Sequence, residues 1–105
     1  MKAYTLDYAE SFAHSLEALI IEWESYFDFP EEKVSSFIKT IRESLKLCSF
    51  NPEMYEDVTT LYQFEVPTRR ILIGQQYALF YRIDENNERI QVGVIVSQRQ
   101  MKVKF

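Results

Sequence analysis

The side chains best equipped for chemistry in this sequence are cations of its C-terminal half. Arg69 and Arg70 stand together at the opening of an apolar run, and Arg82 comes near the end of another. Arg99 opens a basic tail that also holds Lys102 and Lys104. Guanidinium groups grip phosphate oxygens through paired hydrogen bonds, and a preorganised set of them stabilises the charge that develops in phosphoryl transfer. If the strands that carry them end near each other, Arg69 or Arg70, Arg99 and Lys102 share one rim and could hold a single phosphate. The competing reading leaves the same arginines solvated or paired with acidic helices. Other chemistries find less support. The single histidine, His14, lies in a helical stretch with no nucleophile beside it, and the single cysteine, Cys48, reads as a small hydrophobe near a helix end. There is no Gly-rich phosphate loop, and the acidic residues are scattered as on a solvated face. Neither a two-carboxylate site nor a metal site can be singled out, and no cofactor is expected. Tyr77 and Tyr81 carry hydroxyls, but within YALFY they read as sheet packing.

The elements that must position these residues follow from hydrophobic period. Residues 2–6 alternate weakly and suggest a short strand. Asp7 and Glu10 have capping-box spacing, and Phe12, Leu16, Leu19, Trp23 and Tyr26 recur every three or four residues, which predicts a helix over Asp7–Tyr26. Glu17 and Glu24 lie away from that stripe. Asp28 and Pro30 mark a second start, and Val34, Phe37, Ile38, Ile41 and Leu45 supply the buried face of a helix over Pro30–Cys48, closed by Pro52. The short connection between them predicts an antiparallel hairpin with facing apolar stripes.

The remainder changes to extended runs. Residues 69–73, 77–83 and 89–97 are rich in β-branched and aromatic side chains and are separated by Gly74-Gln75-Gln76 and by Asp84-Glu85-Asn86-Asn87. In the last run Ile90, Val92, Val94 and Val96 are expected to share one face. Residues 59–66 precede Pro67, which would break a ladder, so an edge or a bend is expected there. The predicted architecture is α+β, β-α-α-β-β-β, with the helical hairpin packed on an antiparallel sheet.

Bulk properties agree with a single domain over residues 1–105. The 105-residue chain is 47% hydrophobic and 15% aromatic, too apolar for disorder, and its lone cysteine excludes an internal disulfide framework. No apolar run has the length of a membrane span, and no signal-peptide core opens the chain, so a cytoplasmic protein without membrane contact is expected. The net charge of −4 hides an asymmetry: residues 1–60 hold 5 Lys/Arg against 12 Asp/Glu, whereas residues 61–105 hold 7 against 4. A strongly basic nucleic-acid binder is thereby disfavoured.

The stretch RRILIGQQYALFYRIDENNERIQVGVIVSQRQ resembles the C-terminal half of toxins of the RelE/ParE superfamily, from bacterial type II toxin-antitoxin pairs. The shared marks are an Arg-bearing strand, a turn, a strand of the form Y-x-L-x-Y-x-I-D, a polar turn, and a β-branched strand that ends before a basic residue. The preceding strand and two helices match the family order as well. The resemblance implies a RelE/ParE-like fold and a toxin neutralised by a cognate antitoxin. It also implies one of two targets. The ParE-like branch poisons DNA gyrase; the RelE-like branch cuts messenger RNA in the ribosomal A site without a metal, using basic residues to hold the phosphate. Carried over position by position, Arg69 and Arg99 match two of five RelE-type catalytic groups, with Arg70 and Lys102 as possible helpers. Ile71 and Ala78 stand where a basic residue and an arginine would be required, and the C-terminal tyrosine of the pattern falls near Phe105, which has no hydroxyl. That deficit favours gyrase inhibition or another non-nuclease activity. A ribosome-dependent endoribonuclease and a degenerate, antitoxin-binding module are the alternatives.

Overall fold

The computed structural model describes residues 2–28, 30–99 and 103–105. Its elements are β1 (Thr5–Tyr8), α1 (Glu10–Glu22), a π-helical turn (Trp23–Phe27), α2 (Glu31–Phe50), β2 (Glu56–Asp57), β3 (Arg69–Ile73), β4 (Tyr77–Asp84) and β5 (Arg89–Ser97). The expected α+β fold, with an N-terminal strand, a helical hairpin and a β3-β4-β5 meander, is present. The sheet, however, has five strands in the order β1-β5-β4-β3-β2. Its β1–β5 pair is parallel, with Thr5 opposite Arg89 and Tyr8 opposite Val92, so the sheet is mixed rather than wholly antiparallel.

That pairing corrects the start of the first helix. Asp7 does not cap it. Asp7 lies in β1 opposite Gln91, and its carboxylate takes two hydrogen bonds from Arg89, at 2.5 and 2.6 Å. These bonds hold the Asp7 carboxyl below its ordinary range. Helix α1 begins only after Ala9, whose backbone N–H donates to Val92 O and whose side chain offers no cap. Asp28 likewise does not cap α2: it ends the π turn in the left-handed region at φ 49°, and Pro30 occupies the N-cap position. The π turn also displaces Tyr26. An i→i+5 turn carries one more residue than an α turn, so the three/four spacing fails after Trp23. Trp23 is buried, whereas Tyr26 is 82% exposed.

Helix α1 packs along β5 and α2 lies over β3 and reaches β1. Their apolar faces and one face of the sheet form the larger core, containing Phe12, Ile41, Leu45, Cys48, Leu79 and Tyr81. The hairpin itself closes where Trp23 and Phe37 meet edge to face at 4.5 Å. Beyond Val92, where β1 ends, the outer edge of β5 would be bare. Helix α1 covers it: Ser11 Oγ donates to Gly93 O and Ser15 Oγ accepts from Ile95 N–H. An unsatisfied sheet edge is thus closed by two hydroxyls one helical turn apart.

A second core lies on the opposite face. Val58, Ala78, Phe80 and Val94 are buried there beneath Tyr62, Phe64 and the C-terminal Phe105. Residues 59–66 therefore form a bend that covers the sheet, as Pro67 foreshadows. This second core overturns the expectation that Ile90, Val92, Val94 and Val96 share a face. The pairing of β4 with β5 shifts register so that Phe80 opposes Val94 while Tyr81 opposes Val92. Gly93 is the extra residue, and an extra residue reverses the side-chain alternation. Ile90 and Val92 consequently face the helices, and Val94 and Val96 face Phe105.

Candidate functional site

Strand β3 aims Arg69 and Arg70 to opposite faces, as alternation requires. Arg69 points to the helix side, where its guanidinium donates to the carbonyls of Tyr55 (2.6 Å) and Glu53 (3.2 Å). It lies in an open cleft of about 520 Å³ whose other walls include Glu53, Asp57, Asp84 and Glu85. Asp57 is itself held by Thr59, whose hydroxyl and backbone N–H keep its carboxyl below the ordinary range. A phosphate approaching Arg69 therefore meets several carboxylates. Arg70 is largely enclosed on the other face, bound to Glu56 at 2.7 Å and to the Tyr62 hydroxyl at 2.9 Å.

Arg99 is elsewhere. It follows Ser97, which pairs with Tyr77, and Tyr77 pairs with Ile73 at the far end of β3. Arg69 pairs with Tyr81. Four residues of strand, about 13 Å at ~3.3 Å each, separate those two rows, and Arg99 lies two residues further out. The shared rim expected from sequence is not formed, because β3 and β5, separated by one antiparallel strand, run in the same direction. The start of one and the end of the other are then at opposite ends of the sheet. Lys102, the other residue assigned to that rim, lies outside the described residues. Arg82 is used internally: its guanidinium stacks 3.8 Å from the Phe105 ring centroid, and its Nε donates to Thr68 Oγ1.

The positions where nuclease groups are missing are structurally occupied. Ala78 is buried in the second core, where a charged side chain would have no water. Phe105 is seated over Gly93. Tyr81 is buried with its hydroxyl donating to Pro52 O, and burial raises its pKa, which disfavours proton transfer. Burial likewise pushes the Cys48 thiol up to about 11, so it is no nucleophile. His14 is exposed on α1. No cluster of metal-ligating side chains occurs among the described residues.

Sequence reasoning missed two concave surfaces. One, of about 550 Å³, lies between the hairpin and the Gly74–Gln76 turn, lined by Trp23, Lys33, Phe37, Ile73 and Tyr77. Trp23 Nε1 donates to the Tyr77 hydroxyl at 2.8 Å, so the hydroxyl of Tyr77 serves the joint between hairpin and sheet. Arg99 lines an adjoining depression with Leu19, Glu22 and Gln76. The other surface is an apolar groove along α1. Ala13 and Ile20, which widen the apolar stripe of the first helix beside Leu16, are its signal in the sequence.

Comparison with known proteins adds a family. Residues 6–102 match the family described as ParE toxin of type II toxin-antitoxin system, parDE. Among solved structures, the fold is similar to a chain of the toxin-antitoxin complex RelBE2 from Mycobacterium tuberculosis, with a TM-score of 0.56 at 13% identity. That similarity covers 92% of this chain and 100% of the other. Comparison with curated proteins yields no match. No described helix is long and apolar enough to cross a membrane.

Proposed function

The chain belongs to the ParE toxin family of type II toxin-antitoxin systems, and from that premise we propose that it arrests growth by engaging DNA gyrase rather than by cutting messenger RNA. As the toxin of such a pair it has a cognate antitoxin as partner. The observation that carries the gyrase reading is the separation of Arg69 from Arg99. In-line cleavage by a neighbouring 2′-hydroxyl needs several cations around one phosphate. Here the two retained arginines stand at opposite ends of the sheet, and acidic residues line the cleft that holds Arg69. A toxin that acts by binding a protein target needs no such convergence.

The test pairs two assays on purified wild-type protein. With gyrase and relaxed plasmid, the toxin should block supercoiling or trap gyrase-dependent DNA breaks. With translating ribosomes, primer extension should show no new A-site cut. A discrete cut that disappears in R69A/R99A would overturn the proposal and restore the nuclease reading. Folded protein that neither acts on gyrase nor arrests growth, yet binds its antitoxin, would identify a degenerate binding module instead.

A further inference from the structure

Helix α1 leaves an apolar surface uncovered. A groove of about 400 Å³ runs along its side between Tyr8, Phe12, Ala13, Leu16 and Ile20. Ile21 at 52% exposure, Tyr8 at 57% and the exposed Tyr26 extend this surface along the helix and into the π turn. Helix α1 is already fully engaged on its inner side, through Phe12, Ser11 and Ser15, so this surface is not needed to hold it on the sheet.

The segment that carries the groove has charge of one sign. Between Lys2 and Lys33 the sequence contains no lysine or arginine, but it contains Glu10, Glu17, Glu22, Glu24 and Asp28. Glu10 and Glu17, seven residues apart, share one line of the helix, and Glu24 follows in the π turn, where that spacing no longer holds. All are exposed, and none makes an ion pair among the described residues. An apolar groove beside a line of unneutralised carboxylates has a defined complement.

We infer that the outer face of α1 is a docking surface for a basic amphipathic helix of a protein partner, with apolar side chains in the groove and Lys or Arg toward Glu10, Glu17 and Glu24. A second copy of this chain does not fit face to face, since it would set the same carboxylates against each other. A nucleic acid is excluded by the same sign of charge. Recognition of this kind reads apolar anchors at three- and four-residue spacing, with flanking charge setting orientation and partner choice. The 13-residue length of α1 spans about 20 Å, enough for a partner helix of roughly four turns. The inference is independent of whether gyrase is the target.

The experiment uses two designed 18-residue peptides that share a leucine stripe and differ in having Lys or Glu beside it. Fluorescence anisotropy on the wild-type protein should show the Lys peptide binding at least tenfold tighter than the Glu peptide, with the difference shrinking as salt rises. The triple variant E10K/E17K/E24K should erase or invert that preference, and A13R should weaken the Lys peptide about tenfold by filling the groove. A control, E53Q/D84N in the cleft of Arg69, should leave binding unchanged. Equal binding of both peptides, or loss in the cleft variant instead of the α1 variants, would sink the idea. So would a dimer in sedimentation that I21D abolishes, since that would make a second copy the occupant.

Discussion

Gly93 is the residue at which one added methyl group should be felt most. Its place in the bulge is set by space: a Cβ there would overlap the ring of Phe105, which lies across it and stacks on Arg82. G93A should therefore cost about 1–3 kcal/mol in urea denaturation, the usual scale for overpacking a filled site. In an F105A background the added cost should fall towards zero, because the colliding group is gone. An equal cost in both backgrounds would remove Phe105 from the explanation. Phe105 is committed to covering the second core.

At the scale of elements, the two serines of α1 and the aromatic joint of the hairpin carry separate loads. S15A should leave the Ile95 N–H without its acceptor at a part-buried sheet edge, a loss of about 1–3 kcal/mol. Its signature should be faster hydrogen exchange at Ile95 than elsewhere on β5. Uniform acceleration along the strand would indicate global loosening instead. W23A should destabilise by about 3–5 kcal/mol, because the indole is buried among Phe37 and Tyr77 and donates to a hydroxyl. F37A should cost less, since Phe37 is half-buried and lines an open cavity. Equal midpoints for the two variants would contradict that ranking.

At the scale of the molecule, the buried thiol of α2 and the buried phenol of β4 link stability to alkaline pH. Cys48 and Tyr81 both have pKa values raised by burial, Cys48 from 9.0 to about 11. An acid whose folded pKa is raised contributes stability that is complete below its unfolded pKa and is lost as pH rises towards the folded value. Stability should therefore decline between about pH 9 and 11, and C48A should flatten the lower part of that decline. A pH-independent denaturant midpoint across the interval would refute the assignment. Throughout the neutral range the native thiol should be inert to a disulfide probe and react only on unfolding.

Local chemistry alone determined the two helices and the three meander strands, though not the first helix's start, the π turn or β2. Hydrophobic period marked both helices because burial on one side writes a repeat of 3.6 into a chain, whereas the meander strands, β4 and β5 being buried on both faces, were marked by β-branched and aromatic runs between turn residues. The stretch from Arg69 to Arg99 carries a resemblance to the RelE/ParE superfamily, and the match over residues 6–102 shows the ParE toxin family. The tertiary structure decided what depends on groups distant in sequence. Asp7 became a strand residue because Arg89, on β5, was there to bind it, and a capping motif cannot show that competition. The alternation of β5 reverses at Gly93, where the ring of Phe105, distant in sequence, fills the space a Cβ would need. Arg69 and Arg99 parted because two strands flanking a third run in the same direction, so a motif that reads as one cationic site along the chain is divided between opposite ends of the sheet.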